Sequence, residues 1–440
     1  MRSLARHRRG PNLKSLILAC LVLLLASSGF GASSGLAAQD AEPVKLDLWI
    51  FEGEEQLLPA LEEAFESEHP NIDLEITLIP EDQYVVKIDT ALAAGSPPDI
   101  GFLYEQRWVE TGNVLPLGEI IAAHDINTDD FNQAVMEGWC FAEGQVYCLG
   151  SYIGATVLLY NKALFDAAGV PYPSTSEPMT IDDYAALVAQ LGTPSEDVST
   201  RIWGGTAEPP HWWMDSRNLF NEDGRQVAGF VNDEATKHVY EVVSNLVIEG
   251  LAPSASIMQT LGMDGTEDLF QQGKLAMTIG SSAELQDLEA ASIDFGVAPI
   301  PVEEVGNPPF ASVWTDGFAV FNGTDNPEEA MEFLAFLATE GQRLRVEVTG
   351  EPPLSAAAAE EYSWAEQGNV EAREQFLQVI GRAGSGIFVP GYWDVVSPLE
   401  DAFNLIVEGE ATASQILDEV APRMQDSLDQ NWATWDQISG

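Results

Sequence analysis

The sequence predicts an α/β protein in which helices cover a sheet that is at least partly parallel. Three observations predict it: strand-like and helix-like segments alternate along the chain, the first helix-like segment lies between two strand-like ones, and no glycine–serine linker separates the chain into independent units. Because a helix between two strands is typical of a crossover, the flanking strands are expected to pair in parallel. The 440 residues are 45% hydrophobic and include 11 tryptophans, which is enough for a core of two or three domains and excludes a disordered acidic chain.

The first elements show both periodicities clearly. Residues 45–51 form a short apolar strand. Leu58, Leu61 and Phe65 then recur at helical spacing, and residues 72–78 return to strict alternation of apolar and polar side chains. This order predicts a strand, a crossover helix and a second strand parallel to the first.

Later helices are predicted from their capping residues. Thr180 can cap a helix that ends at Gly192. Asn326 is expected to cap a second one, with Pro327 at its first position and acidic residues in its first turn. Further strands are expected at residues 155–160, 275–279, 295–300 and 317–321.

Residues 1–38 have the layout of a secretory signal peptide. Five basic residues and no acid precede residue 15, and residues 16–26 form an uncharged run of 11 residues, shorter than the roughly 20 that cross a bilayer. Small residues follow, up to Ala38. A buried N-terminal helix would not explain the basic flank. We therefore expect an exported protein, periplasmic or extracellular. Cys20 lies inside the apolar run and not after it, which argues against a lipid anchor.

The formal charge of −51 excludes binding by general electrostatic attraction to nucleic acid or to an anionic membrane surface. Both of those partners require basic patches on the protein. The same charge favours solubility, at the cost of repulsion within the folded chain.

Cys140 and Cys148 flank a short segment in which Glu143 and Gly144 look like the turn of a hairpin. Two cysteines on facing strands can reach disulfide distance, and an exported protein meets an oxidising compartment. A local disulfide is therefore expected, with a pair of buried thiols as the alternative. Without nearby histidines, the pair does not make a zinc site. No other metal site and no cofactor is expected.

A series of short segments resembles a known family. In chain order they are His69-Pro70-Asn71-Ile72, Pro98-Asp99-Ile100, Leu159-Tyr160-Asn161-Lys162, Gly273-Lys274-Leu275-Ala276-Met277, Gly296-Val297-Ala298-Pro299 and Asn326-Pro327-Glu328-Glu329-Ala330. Together, over about 300 residues, they resemble the family 1 extracellular solute-binding proteins of ABC transporters, whose best-known relatives bind maltose and other sugars.

The resemblance implies a two-lobed periplasmic-binding-protein-like fold with interwoven lobes and a ligand cleft at the hinge. By analogy, lobe 1 comprises residues 44–152 and 295–342, and lobe 2 comprises residues 153–294 and 343–440. It further implies a monomer that binds a sugar or oligosaccharide and delivers it to the membrane permease of an ABC importer.

Candidate ligand residues combine flat rings for the apolar faces of a sugar with polar groups for its hydroxyls. They lie in loops at predicted strand ends, where α/β sheets place their ligands. Trp212 is expected to stack, with Trp213 as its alternate; for all candidates, packing in the core is the competing interpretation. The others are Glu54, Tyr104, Glu105, Tyr152, Trp314, Asp316 and Trp393.

One departure from the family pattern weakens the sugar hypothesis. Many sugar-binding relatives carry a tryptophan soon after the strand that here ends in Met277-Thr278-Ile279-Gly280, whereas this chain continues with serines. If a sugar binds, Ser281 and Glu284 are expected to replace that ring with hydroxyl partners.

Two other functions stay open. Aromatic rings with carboxylates also form a cage for a polyamine or another small cation. A secreted glycoside hydrolase would need two carboxylates that flank one bond, and 70 acidic residues do not exclude such a pair. No nucleophile motif, phosphate-binding loop or zinc-protease motif is present, so we expect a binding protein and not an enzyme.

Overall fold

The computed structural model describes residues 43–142, 144–263, 265–382 and 386–438. The predicted signal peptide, including Cys20, lies outside these residues. Within the described part of the chain, no helix is both long enough and apolar enough to span a membrane.

Helices and strands alternate along the chain, as expected for an α/β protein. The strands are β1 (Val44–Phe51), β2 (Ile72–Ile79), β3 (Ile100–Phe102), β4 (Phe141–Ala142), β5 (Gln145–Val146), β6 (Gly154–Asn161), β7 (Met277–Ser281), β8 (Phe295–Ala298), β9 (Val313–Trp314) and β10 (Phe318–Val320). The helices are α1 (Leu58–Glu68), α2 (Glu81–Ala94), α3 (Arg107–Glu110), α4 (Gly118–Ala123), α5 (Gln133–Val135), α6 (Lys162–Ala168), α7 (Ile181–Leu191), α8 (Ser216–Leu219), α9 (Glu234–Ile248), α10 (Ala255–Leu261), α11 (Thr266–Gln271), α12 (Glu284–Ala290), α13 (Pro327–Phe336), α14 (Gln342–Leu344), α15 (Ala356–Glu361), α16 (Val370–Ile380), α17 (Tyr392–Val396), α18 (Pro398–Val407) and α19 (Ala413–Ile438).

The first sheet has the order β10-β3-β1-β2. Its central strand β1 pairs in parallel with both β2 and β3, whereas β10 runs antiparallel to β3. The parallel pair predicted from the strand–helix–strand order is therefore confirmed. Leu46, Leu48 and Ile50 of β1 are buried, because alternate side chains of a strand share one face.

The second sheet is built around β6, which lies between β7 and β8 and pairs antiparallel with both. The short strand β9 pairs with the first residues of β6. Within the described residues, the chain passes between the two sheets where Leu149 bridges to Phe318 of the first sheet just before β6 begins, and again where β9 precedes β10. These two connections are the crossing segments (residues 149–154 and 313–318).

Two clusters of buried apolar residues form the core. The first cluster contains the first sheet and extends onto one face of β6, through Val157 and Leu159. The second contains the other face of β6, through Leu158 and Tyr160, together with α9, α18 and α19. Successive side chains of a strand point to opposite faces, so β6 belongs to both clusters.

Local capping follows the sequence in one helix and departs from it in another. Thr180 caps α7: its Oγ1 accepts a hydrogen bond of 3.1 Å from the backbone N–H of Asp183. Asn326 is the N-cap of α13 and Pro327 its first residue, as predicted, but the Asn326 side chain does not cap the helix, since its amide donates to the carbonyl of Lys45 (3.3 Å). The predicted strand at residues 275–279 begins two residues later, because Leu275 pairs with Trp203 outside the main ladder.

The segment around the two cysteines is a hairpin, as predicted. β4 pairs antiparallel with β5, and a disulfide joins Cys140 to Cys148. Gly317 of the second crossing segment packs on this bond: a Cβ at position 317 would lie 2.7 Å from Cys148 Sγ. The disulfide therefore links the hairpin to the place where the chain passes between the sheets.

Replacing both cysteines by serine (Cys140→Ser/Cys148→Ser) should lower the free energy of unfolding by about 2–3 kcal/mol, because a short loop is no longer closed in the unfolded chain. Denaturant unfolding measures the change, and the wild-type protein unfolded under reducing conditions is the matched control. If the double-serine variant and the reduced wild type both unfold at the same denaturant midpoint as the oxidised wild type, the disulfide contributes nothing to stability.

Candidate functional site

A cleft of about 970 Å³ lies between the two buried clusters. Its walls come from loops and helix ends and not from strand centres. One wall is formed by Leu103, Trp139, Val313 and their neighbours, which pack on the first cluster. The other wall contains Met214 and Val389 of the second cluster. A ligand in this cleft would contact both halves of the molecule.

Aromatic rings dominate the lining. The rings are Tyr104, Trp139, Trp212, Phe310, Phe388, Tyr392, Trp393 and Trp435. The charged residues and the histidine of the lining are Asp82, Glu105, Arg107, Glu137, His211 and Asp394. Flat rings beside carboxylates are the side chains expected for a ligand with both apolar faces and hydrogen-bond donors.

Trp139 is held in the first wall by its polar atoms. Its indole Nε1 donates to the carbonyl of Val313 (3.0 Å), and its own carbonyl accepts from Gln106 Nε2 (2.7 Å). It directly precedes Cys140, so the disulfide fixes the backbone next to the ring. Both contacts orient the indole before any ligand arrives.

Tyr104 and Glu105 follow β3 on the same wall. The Tyr104 hydroxyl donates to Glu81 (3.2 Å); burial, and then the Glu81 carboxylate, raise the pKa of Tyr104 to about 12, so the phenol stays protonated and able to donate. Burial raises the pKa of Glu105, although the neighbouring Arg107 guanidinium opposes the rise.

Trp212 projects from the second wall with 47% of its surface exposed. It closes a short helical turn that begins at Pro210, after which Trp213 points inward and is buried in the second cluster. His211 is also buried; its Nδ1 lies 3.1 Å from the Tyr240 hydroxyl, and burial lowers its pKa to about 4. His211 is therefore neutral at pH 7.

The segment 386–394 and the end of α19 complete the second wall. Trp393 is 58% exposed and its ring meets that of Tyr392 edge-on at 5.1 Å. Phe388 packs on Trp435 of α19, with ring centroids 4.9 Å apart. The end of α19 is anchored by Arg225, which pairs with Asp436 (2.7 Å).

A second group of predicted ligand residues lies elsewhere, in a buried ion cluster around Arg345. The Arg345 side chain, 3% exposed, donates to Asp316 (3.0 Å) and Glu351 (3.0 Å), and lies 2.5 Å from the Glu54 carboxylate. Its guanidinium stacks over the Tyr152 ring at 4.4 Å. Glu54, Tyr152 and Asp316 are not among the residues that line the cleft.

Ser151 completes this cluster. Its hydroxyl accepts from Arg345 Nε (2.9 Å) and donates to Asp316, while its backbone N–H donates to the same carboxylate (2.6 Å). Ser151 and Asp316 lie in the two crossing segments. The Arg345 cluster thus ties together the two connections between the sheets.

Three carboxylates surround one guanidinium in this cluster, so negative charge exceeds positive. Burial, outweighing the opposing effect of Arg345, raises the pKa of Glu54 to about 6, and the charges of Asp316 and Glu351 contribute to the rise. Burial also raises the pKa of Tyr152 well above its usual range.

The remaining predicted residues also lie outside the lining of the cleft. The backbone N–H and the hydroxyl of Ser281 both donate to Glu284, and burial raises the pKa of Glu284 to about 7. Trp314 lies flat on Gly154, where a Cβ would overlap the indole. The structure therefore brings Tyr104, Glu105, Trp212 and Trp393 together at the cleft and leaves the other candidates apart.

Sequence reasoning missed Trp139, Phe388 and Trp435, which line the cleft, and Arg345, which organises the buried cluster. A weak signal existed for Trp139, because it directly precedes Cys140 of the predicted disulfide. Phe388 and Trp435 have no local motif; they reach the cleft only through the packing of α17 and α19. In the described part of the chain, no group of three or more histidine, cysteine or acidic residues is arranged to hold a metal ion.

Comparison with known proteins identifies sequence relatives. A family model described as bacterial extracellular solute-binding protein matches residues 52–344. A binding protein of Brucella abortus (strain 2308) is 24% identical over 417 residues, which cover 89% of this chain and 95% of that protein. The maltooligosaccharide ABC transporter solute-binding lipoprotein of Streptococcus pneumoniae (strain TIGR4) is 25% identical over 364 residues, covering 80% of this chain and 81% of that protein.

Solved structures share the fold. An ABC substrate-binding protein of Listeria monocytogenes in complex with cycloalternan superposes with a TM-score of 0.74 at 21% identity, covering 88% of this chain and 99% of that one. The sugar-binding protein MalE of Xanthomonas citri gives a TM-score of 0.73 at 16% identity, covering 90% of this chain and 100% of that one. The two-lobed fold predicted from the sequence is confirmed. The residue limits of the two lobes stay a prediction.

Replacing Arg345 by methionine should destabilise the protein by about 3–5 kcal/mol, because three buried carboxylates lose their common cation. Arg343→Met is the matched control: Arg343 lies two residues away and is about one third exposed, so its ion pairs contribute only about 0–1 kcal/mol. Urea unfolding of both variants measures the difference. Equal, small effects of the two substitutions would contradict the structural role of Arg345.

The raised pKa of Glu54 makes stability depend on pH. Between pH 4.5 and about 6 the unfolded chain releases this proton before the folded one does, so stability is lost as the pH rises through that window. Relative to Glu54→Gln, the unfolding free energy of the wild type should fall by about 2 kcal/mol from pH 4 to pH 7. If the difference in unfolding free energy between the wild type and Glu54→Gln stays constant from pH 4 to pH 7, Glu54 lies in a solvated environment.

Proposed function

The chain belongs to the family of bacterial extracellular solute-binding proteins, and we propose that it binds a sugar or oligosaccharide in the cleft and delivers it to the permease of an ABC importer. Members of this family are binding proteins and not enzymes. The observation that carries the proposal is the lining of the cleft, in which aromatic rings of both walls face a space large enough for a small-molecule ligand.

The side chains of the cleft match the two surfaces of a sugar ring. Trp212 and Trp393 are the more exposed rings and can cover its apolar C–H faces. Glu105 and Asp394 can accept hydrogen bonds from its hydroxyls, and the phenol oxygen of Tyr104, whose own proton is donated to Glu81, can accept another. Tyr104, Glu105, Trp212 and Trp393 are also among the residues singled out from the sequence, and Asp394 directly follows Trp393.

A ligand that contacts both walls of the cleft would favour the closing of the two lobes. In a two-lobed protein, a ligand that contacts both lobes binds the closed state more tightly than the open one and shifts the population toward it. α19 packs against α3 of the opposite wall, so the two walls meet at this point. The Arg345 cluster holds the crossing segments about which the lobes would move.

Two finer parts of the proposal, export and delivery to a permease, rest on the sequence and on relatives and not on the cleft. Export follows from the predicted signal peptide and from the extracellular placement of the family. Delivery to a permease follows from named relatives, such as the Streptococcus pneumoniae lipoprotein of a maltooligosaccharide ABC transporter. The sugar named in that relative is not carried over to this chain.

Replacing Trp212 by alanine should weaken saccharide binding by about tenfold or more, because an exposed stacking ring is lost while the core is untouched. Trp49→Ala is the matched control, since Trp49 is a partly exposed ring on β1 outside the cleft. Titration calorimetry with the saccharide that gives the largest thermal stabilisation of the wild type measures both. Equal affinities of wild type and Trp212→Ala would reject the cleft as the binding site.

A further inference from the structure

The charges that line the cleft are unbalanced. Its carboxylates come from both walls: Asp82, Glu105 and Glu137 lie on the side of the first cluster, and Asp394 lies on α17 on the side of the second. The cleft therefore presents negative charge from two directions to anything bound in it.

The cation of the cleft is already engaged. Among the described residues that line it, Arg107 is the only arginine or lysine. Its Nη2 donates to Asp89 (2.7 Å), and its Nε lies 3.4 Å from Glu105. One guanidinium shared between two carboxylates leaves no positive charge for Asp394 on the facing wall. His211 adds none at pH 7, because burial keeps it neutral.

The negative charge includes a pair of carboxylates on facing walls, Glu105 and Asp394. Burial raises the pKa of Glu105, Arg107 opposes that rise, and the negative charges of Asp89 and Asp394 add to it. Glu105 and Asp394 thus lie within electrostatic reach of each other across the cleft. Closing the lobes over a neutral ligand would remove water from Asp394 without supplying a counter-charge and would leave Glu105 only its share of Arg107, which is unfavourable.

We propose that the saccharide carries a protonated amine, which Glu105 and Asp394 bind from opposite walls of the cleft. This inference rests on the proposed function and specifies its ligand class. Each carboxylate follows an aromatic residue, Tyr104 and Trp393 respectively, and both rings line the cleft. A cation near their faces would gain cation–π attraction in addition to the two ion pairs. The other rings remain available for the uncharged faces of the sugar.

A free diamine would contact fewer of the residues that line the cleft than an amine-bearing saccharide would. It could pair with Glu105 and Asp394, but it has no flat apolar face for Trp139, Trp212 or Phe388 to cover. The eight rings of the cleft would then be largely unused. An amine attached to a sugar uses both the rings and the carboxylates.

The experiment compares saccharides that carry a protonated amine with saccharides that do not. Glucosamine and its β-1,4-linked di-, tri- and tetrasaccharides are titrated against the purified protein beside their N-acetylated counterparts, with maltotriose and cellotriose as neutral sugars and 1,4-diaminobutane as a free amine. Calorimetry at low and at moderate salt gives the affinities. The amine-bearing member of at least one pair should bind about tenfold or more tightly, and added salt should reduce that preference.

The variants Glu105→Gln and Asp394→Asn should each remove most of this preference, measured as the ratio of the affinities for the amine-bearing and the N-acetylated member of a pair, even where the substitution also weakens the binding of neutral sugars. Asp401→Asn, an exposed carboxylate of α18 outside the cleft lining, changes the net charge equally and should leave the preference intact. Thermal unfolding shows whether each variant is folded.

The outcomes separate this inference from the proposed function. If neutral sugars bind and every amine-bearing compound binds equally well or more weakly, the inference is overturned and the proposed function is kept. If 1,4-diaminobutane binds and no saccharide does, the ligand is not a saccharide, and both the inference and the proposed function are overturned. A preference for amines that survives in Glu105→Gln and in Asp394→Asn also overturns the inference, because the charge would then be recognised elsewhere.

Discussion

The architecture depends on one buried cation. Arg345 neutralises carboxylates that arrive from separate parts of the chain: Glu54 after β1, Asp316 before β10 and Glu351 after α14. Such charges are stable in the interior only while paired, so each segment must reach its place for any of them to be satisfied. Because Ser151 and Asp316 lie in the crossing segments, this pairing holds the two connections between the sheets together.

The cleft follows from that arrangement. Its walls are loops carried by two packed clusters, and the crossing segments set how those clusters face each other. Trp139 shows how local bonds then refine the wall, since the disulfide fixes its neighbour and Val313 accepts its indole proton. Rings held in this way lose little freedom when a ligand binds, which favours affinity.

The sequence predicted features that depend on neighbours along the chain and missed features that depend on distant ones. Periodicity placed β1, α1, β2 and α7 because each pattern is local. Glu54 and Asp316 were singled out as polar residues at strand ends, which they are, but the choice between a ligand and Arg345 as their partner is made by tertiary packing. The same limit hid Phe388 and Trp435, whose place at the cleft is set by how α17 and α19 pack.

The central strand of the second sheet has a consequence for how such proteins can be recombined. Residues 157 and 159 of β6 face one cluster and residues 158 and 160 face the other, so a register slip of a single residue would exchange the two sets. A chimaera that takes β6 from a homologue would therefore need compatible packing partners on both faces of this strand. Insertions should be tolerated in the surface loops, whereas a deletion inside β6 would disturb both clusters at once.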